Sequence, residues 1–315
     1  MTNAVRKAVI PAAGMGTRQY PASSGVRKEF FPLVGRDGYA KPLVQMGVEE
    51  ALSGGIEEVC IVCQPDAAEE FRSYFAAMPE KARAHYEGKD RAYEWSERLE
   101  EMGRCLAFVP QEEQHGLGHA VWCARQWVGG EPFLLILGDH VFISRTERSC
   151  TGQVLDAFAG HSITSLTRSP EDAIRRFGVA RGRPAEGAAG LIEVDGFLEK
   201  PTREAAREQC RIRGVPSGQY LTHFGLHLFT PGIFDVLDRM IEEDRRTDGE
   251  FQLTDAQDRL ARAEPYRGLV VAGERFDVGT PAGLLEAQIA LALAGEMRSR
   301  AQQWWTDYSD EFSET

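Results

Sequence analysis

Residues 7–18, KAVIPAAGMGTR, set the reading of the chain. The first half is a short apolar run, and the second is a glycine-rich turn closing on a hydroxyl and a cation. Apolar runs recur at 59–63, 106–109 and 133–137. Continuous runs, rather than strict alternation, predict strands buried on both faces of a parallel sheet. Helical periods fill the intervals. Pro42 stands where a first helical turn tolerates it, and Val44, Val48, Ala51 and Leu52 follow at helical spacing. Leu117, Ala120, Val121, Ala124 and Val128 repeat the stripe, and Leu284, Leu285, Gln288, Ile289 and Ala292 carry a weaker one. This alternation, from Lys7 to about Gly138, predicts a doubly wound α/β half.

After 162–168 the texture changes. Segments 177–181, 191–198 and 220–230 read as strands with short connections, so the second half is expected to add mixed or antiparallel strands. Residues 181–190 read as a Gly/Ala/Pro loop. Residues 80–103 read as an insertion whose helix packs one face through Tyr93, Trp95 and Leu99. From Glu296, a tail places Trp304, Trp305 and Tyr308 among Asp307, Asp310, Glu311 and Glu314. It is either frayed, or docked on the body or on a second subunit.

With 36 basic and 48 acidic residues the net charge is −12, too acidic for a general nucleic-acid coat. No apolar run approaches the ~18 residues of a membrane span, and residues 1–9 carry charges with no apolar stretch behind them. A cytoplasmic protein is expected, with neither nucleic acid nor membrane as partner. The length of 315 residues allows two domains or one large α/β unit. Cys60 and Cys63 have redox-motif spacing but fall inside an apolar run, so buried thiols are expected.

Glycines after a first strand let backbone amides approach a phosphate, and Arg18 can neutralise it. A dinucleotide fingerprint would need glycine at position 19, which is Gln19, and a Walker loop would need a closing Gly-Lys-Ser/Thr. Neither is present. A plain tight turn would account for the glycines but not for Thr17, Arg18, Pro21 and Lys28.

Gly14-Met-Gly-Thr-Arg18, Pro21, Lys28-Glu29 and Pro32 together resemble the signature of the sugar-1-phosphate nucleotidylyltransferases, in particular the uridylyl branch. The likeness continues in order through Lys41-Pro42, Gln111, Gly116-Leu-Gly-His-Ala120, Gly138-Asp139, Glu199-Lys200-Pro201, Gly225, Gln252-Leu-Thr-Asp255 and Phe276-Asp277-Val-Gly279. It spans nearly the whole chain. It implies a Rossmann-like doubly wound mixed sheet of the nucleotide-diphospho-sugar transferase type, with a small added antiparallel region. One core over 1–295 is expected, with a nucleotide-binding half to about 140, a sugar-binding half after it, and a tail from 296.

The implied reaction transfers a uridylyl group from UTP to a sugar 1-phosphate, foremost glucose 1-phosphate, giving UDP-glucose and pyrophosphate. Both reactants are polyanions, so catalysis rests on in-line positioning and charge neutralisation rather than a protein nucleophile. By the resemblance, Arg18 and Lys28 face the triphosphate and Lys200 holds the sugar phosphate. Asp139 and Asp277 hold Mg²⁺. Ala12, Ala13, Gly14, Gly16, Thr17, Gln111 and Gly116 bind the nucleotide; Glu199, Lys200, Gly225 and Glu250 line the sugar-phosphate site. A homo-oligomer, dimer or tetramer, is implied. Taken without its partner motif, Asp139 would read as a helix N-cap or turn acid.

His115 and His119 lack the metalloprotease pattern and read as capping or polar-face residues; His223 and His227 share a strand face and read as structural. The sequence departs from the family at Ser23-Ser24, Arg27, Phe30-Phe31, the lengthened turn 35–40 and His140. Arg27 could offset a family lysine missing at Ser24. Two other readings compete: the same chemistry on another nucleotide or sugar, and a nucleotide-sugar binder without turnover.

Overall fold

The computed structural model describes residues 5–313, with side chains to 309. Residues 1–4 and 314–315, and so part of the N-terminal reading and Glu314, lie outside it, as do the side chains of Asp310 and Glu311. The strands are β1 (Lys7–Ala12), β2 (Pro32–Val34), β3 (Ala40–Pro42), β4 (Glu58–Cys63), β5 (Leu106–Pro110), β6 (Phe133–Ile136), β7 (His140–Ser144), β8 (Ser162–Pro170), β9 (Gly178–Pro184), β10 (Leu191–Glu199), β11 (Gln219–Phe229), β12 (Tyr266–Val270) and β13 (Gly273–Asp277). A nine-stranded sheet runs β5-β4-β1-β6-β11-β8-β12-β10-β9, and β13-β7 and β2-β3 form separate ribbons.

β1, β4, β5 and β6 pair in parallel, which is the α/β half expected from the apolar runs. β11 then pairs antiparallel with β6 and β8, and β10 antiparallel with β12 and β9. The sheet is therefore mixed, as anticipated.

Alternate residues of one strand feed two cores. Val9, Cys60, Val62, Phe133 and Leu135 face one side, against Val121 and Val128 and the helices Gly232–Glu242 and Leu253–Ala263. Ala8, Ile10, Ile61, Leu134 and Ile136 face the other, against Val44, Val48 and Phe71. Covering both faces is what makes uninterrupted apolar strands stable. A third cluster, including Leu33, Val141, Val278, Ala287 and Leu291, fixes the helix Pro281–Ala294 to the ribbons.

Several expectations shift. Pro42 ends β3 and precedes the helix Leu43–Gly54 as its cap. The stripe from Leu117 is split into helices Leu117–Cys123 and Arg125–Val128, although Ala120, Val121, Ala124 and Val128 stay buried. In Pro281–Ala294 the buried residues are Gly283, Ala287 and Leu291, while Leu285 and Ile289 are exposed. That helix is apolar all round, so periodicity could not orient it. Arg181–Pro184 belong to β9 rather than to a loop, because they pair with β10.

The insertion carries helices Glu80–Arg83 and Asp90–Arg104. Trp95 meets Tyr39 edge-on at 5.3 Å, with Lys41 Nζ 4.6 Å from its ring centre. The insertion thus packs against the other lengthened segment, the β2–β3 turn. The tail is helical, Arg298–Ser313, with Trp304 and Trp305 exposed. Cys60 and Cys63 are buried in β4, where burial pushes their thiols up to about 12 and about 11. Among the described residues no helix is long and apolar enough to cross a membrane.

Candidate active site

Buried parallel strands that end together present their C-terminal loops to one crevice. Here β1, β6 and the start of β7 bring the glycine turn beside Asp139, and a cavity of about 850 Å³ opens along the sheet from the turn to Glu199 and Gly225. Asp139 lies in the turn between β6 and β7, so it caps no helix. Asp277 ends β13 and is the cross-strand partner of His140. Hence the second acid comes from a two-stranded ribbon, not from the main sheet.

The acids and cations interlock. Lys28 Nζ donates to Asp139 Oδ2 at 3.2 Å, Arg18 Nη1 to Asp277 Oδ2 at 3.2 Å, and Arg18 Nη2 lies 3.6 Å from Asp139 Oδ2. Burial pushes the Asp139 carboxyl up, but Lys28, His140 and Arg18 outweigh it and hold the group down at about 2. Burial works against the Lys28 charge, yet Asp139 and Glu29 raise its pKa. Glu29, 3% exposed beneath Lys28, is driven by burial up to about 7 in spite of that lysine. Burial also lowers the pKa of His140, against the pull of Asp139.

Gly279 lets these charges approach. A Cβ there would stand 2.6 Å from Arg18 Nη2 and 3.0 Å from Asp139 Oδ2. Gln19, the residue that breaks the dinucleotide pattern, is buried and donates to the Val278 carbonyl at 2.7 Å, tying the turn to the ribbon.

Toward β4 the wall holds Ala13, Gly14, Thr17, Gln111 and Gly116. Gln111 Nε2 donates to the Gly116 carbonyl at 3.2 Å and meets His119 Nδ1 at 3.1 Å. Ala12 and Gly16 do not line the cavity: Ala12 is buried at the end of β1, and Gly16, at φ 64, makes the turn. His119 stacks on Trp122 and His115 pairs with Glu113, so neither caps a helix.

Glu199, Lys200, Gly225 and Glu250 also line the cavity, but Glu250, expected with the other three, lies against Gly116, where a Cβ would stand 2.6 Å from the Glu250 Cβ. Glu199 Oε2 accepts from Thr254 Oγ1 at 2.6 Å, and its Oε1 lies 3.3 Å from Lys200 Nζ. Lys200 has φ 42, a backbone conformation that costs free energy and tends to mark functional positions. Its side chain is over half exposed, open to an incoming anion.

Some wall residues escaped the sequence reading. Phe177 lies under Arg275, whose guanidinium carbon is 3.8 Å from the ring centre, with Arg176 also over that ring. Burial lowers Arg275 to about 10, against the pull of Asp277. Arg275 stands two positions before the motif acid Asp277, which is the only signal the sequence offered. His223 and His227 are both structural and on the wall: their rings are 5.1 Å apart, and His227 Nδ1 meets Gln257 Nε2 at 3.0 Å. Arg27, offered as a substitute for a missing lysine, points elsewhere. It donates to Gln64 at 2.8 Å, Asp66 at 2.8 Å and Glu70 at 3.0 Å and is absent from the wall.

Asp139, His140 and Asp277 form the one group among the described residues whose ligand atoms could together hold a metal, all lying within 4.8 Å of one another. The site can thus take a polyanion and a divalent cation side by side.

A family model described as nucleotidyl transferase matches residues 7–293. The UTP–glucose-1-phosphate uridylyltransferase of Bacillus subtilis (strain 168) is 34% identical over 292 residues, covering 92% of this chain and 91% of that one. The enzyme of the same name from Staphylococcus haemolyticus (strain JCSC1435) is 34% identical, over 92% and 93%. Among solved structures, a UDP-glucose pyrophosphorylase complexed with UDP-glucose superposes with TM-score 0.71 at 27% identity, covering 91% of this chain and 98% of that one. An apo UDP-glucose pyrophosphorylase gives 0.76 at 28%, over 91% and 97%. With a family model spanning both ends of the cavity, and with relatives matching almost from end to end, the chain belongs to the nucleotidyl transferase family.

Proposed function

We propose that the protein transfers the uridylyl group of UTP to glucose 1-phosphate, forming UDP-glucose and releasing pyrophosphate. A phosphate oxygen of the sugar attacks the α-phosphorus of UTP; the new P–O bond forms as the bond to the β-phosphate bridging oxygen breaks. The observation that carries this reading is the convergence of Arg18, Lys28, Asp139 and Asp277 at the middle of one elongated cavity. The base and the sugar are those acted on by the relatives the chain matches, as their names state.

In this reading Arg18 and Lys28 draw charge from the triphosphate, and Lys200 seats the sugar phosphate as a compact point charge. Ala13, Gly14, Thr17, Gln111 and Gly116 hold the nucleotide, with Ala12 and Gly16 shaping the turn behind them. Glu199 and Gly225 face the sugar. Asp139 and Asp277 fit Mg²⁺, since paired carboxylates with phosphate oxygens and water complete its octahedron; when bound, the ion would neutralise phosphate charge.

The proposal treats 1–295 as one core, whose halves supply the nucleotide and sugar sites, with a separate tail. A cytoplasmic setting belongs to it, where UTP is made and where six free thiols stay reduced. Leu285 and Ile289 on one helix, and Trp304 and Trp305 on the next, are exposed apolar side chains suited to contact between subunits of a dimer or tetramer. Light scattering on the purified chain tests that point.

The test of function is pyrophosphate release with a panel of nucleoside triphosphates and sugar 1-phosphates and Mg²⁺. UTP with glucose 1-phosphate should give the highest kcat/KM, and Lys200→Met should raise KM for the sugar phosphate without changing that for UTP. No turnover with any pair would refute the enzyme reading.

A further inference from the structure

His140 opens β7 immediately after Asp139 and lies opposite Asp277 in the antiparallel ribbon. Register alone therefore places an imidazole between two carboxylates that come from distant parts of the chain. The ring is 9% exposed, and its Nδ1 is buried without a hydrogen-bond partner. An unpartnered buried polar nitrogen destabilises the fold, so its retention beside two acids calls for a ligand. The Asp139 oxygen held by Lys28 and Arg18 is Oδ2; Oδ1 lies on the imidazole side, 4.0 Å from Nδ1.

Space for the ring is built into β11. Gly225 has φ 107, and a Cβ there would stand 2.8 Å from His140 Nδ1. Any side chain at position 225 would displace the imidazole. The separation of up to 4.8 Å among the three ligand atoms is near the ~4 Å between opposite ligands of a first-row ion bound at about 2.1 Å.

We propose that His140 is a third protein ligand, through nitrogen, of the metal site formed by Asp139 and Asp277, and that it moves the preference of that site from Mg²⁺ toward the imidazole-binding first-row ions, Zn²⁺ among them. This rests on the two-carboxylate metal reading above and goes past it. Oxygen donors suit Mg²⁺, whereas imidazole suits the later first-row ions and adds little for Mg²⁺. His140 follows the motif acid where the family pattern has Val or Asp, so the preference would belong to this chain rather than to its relatives.

Mn²⁺ serves as the probe, because pulsed electron paramagnetic resonance detects a coordinated nitrogen directly. The protein with Mn²⁺, alone and with UTP, should show nitrogen-14 coupling. His140→Val should abolish that coupling while Mn²⁺ still binds, with the Zn²⁺ Kd raised about 10-fold and the Mg²⁺ Kd nearly unchanged. Asp139→Asn should remove the bound ion itself. Mn²⁺ bound in the native protein without nitrogen coupling, or coupling that survives His140→Val, would overturn the role of His140 and leave the carboxylate pair standing. Absence of Mn²⁺ binding in the native protein, or binding unaffected by Asp139→Asn, would overturn both readings. The native spectrum decides the matter even if a variant fails to fold.

Discussion

Lys28 Nζ and Asp139 Oδ2 lie 3.2 Å apart, which makes the same lysine a holder of the acid and a donor to any phosphate beside it. Lys28→Met should lower kcat by about 10²–10³-fold, the scale of removing one preorganised charge donor. It should also free Asp139 to titrate nearer the ordinary carboxylate range. Steady-state pyrophosphate release, with circular dichroism to show that the fold persists, checks this; a rate within threefold of the native enzyme would remove Lys28 from the chemistry.

Glu29 gives a pH dependence with a definite sign. Its folded pKa, driven by burial up to about 7, exceeds the ordinary value of 4.5. Below pH 4.5 both states hold the proton and the group is neutral in its effect; between 4.5 and 7 the unfolded chain releases it first, so stability falls as pH rises. Glu29→Gln should therefore raise Tm at pH 8 relative to the native protein by an amount on the order of 3 kcal/mol in stability, and leave Tm at pH 4 unchanged. Thermal melts at the two pH values measure it, and an equal effect at both would count against the buried-acid explanation.

Gly279 tests the packing of charges without deleting one. In Gly279→Ala the new methyl meets the ends of three side chains, the Arg18 guanidinium at 2.6 Å and the Asp277 and Asp139 carboxylates at 2.9 and 3.0 Å, so the fold should survive while the contacts of Arg18 with the two acids loosen. We expect kcat/KM for UTP to fall roughly 10–100-fold. Arg18→Ala combined with Gly279→Ala should lose less than the two single losses together, and full additivity would show that the glycine does not act through Arg18.

Arg27→Ala separates stability from activity. Its three partners, Gln64, Asp66 and Glu70, all lie outside the cavity wall. Unfolding in urea should show a loss of about 1 kcal/mol, with kcat/KM for UTP unchanged. A selective rise in KM for UTP would restore the idea that this residue substitutes for a motif lysine.

The parallel half, the glycine turn after β1 and the strand-end position of Asp139 were legible because each is written locally, as an apolar run followed at once by glycines or an acid. The insertion 80–103 and the lengthened turn 35–40 were also visible, but not that Trp95 of one packs on Tyr39 of the other. Arg275 and its stack on Phe177 were not legible, since the two residues are nearly a hundred positions apart and no pattern marks an arginine that is buried. The outward turn of Leu285 and Ile289 was hidden by a helix apolar on every side. Arg27 shows the limit of a motif slot: the slot fixes a backbone position, while the reach of a long side chain is decided by acids that fold next to it.

The contact between Arg18 and Asp277 closes 259 residues of chain. During synthesis the glycine turn and Asp139 leave the ribosome long before the ribbon strand that completes them. A nascent chain lacking β13 has neither Asp277 nor the partner strand of His140, so it cannot assemble the full charge cluster. Polyanion and metal affinity should therefore switch on late, in one step, when the last strand pairs, which keeps unfinished chains from sequestering nucleotide.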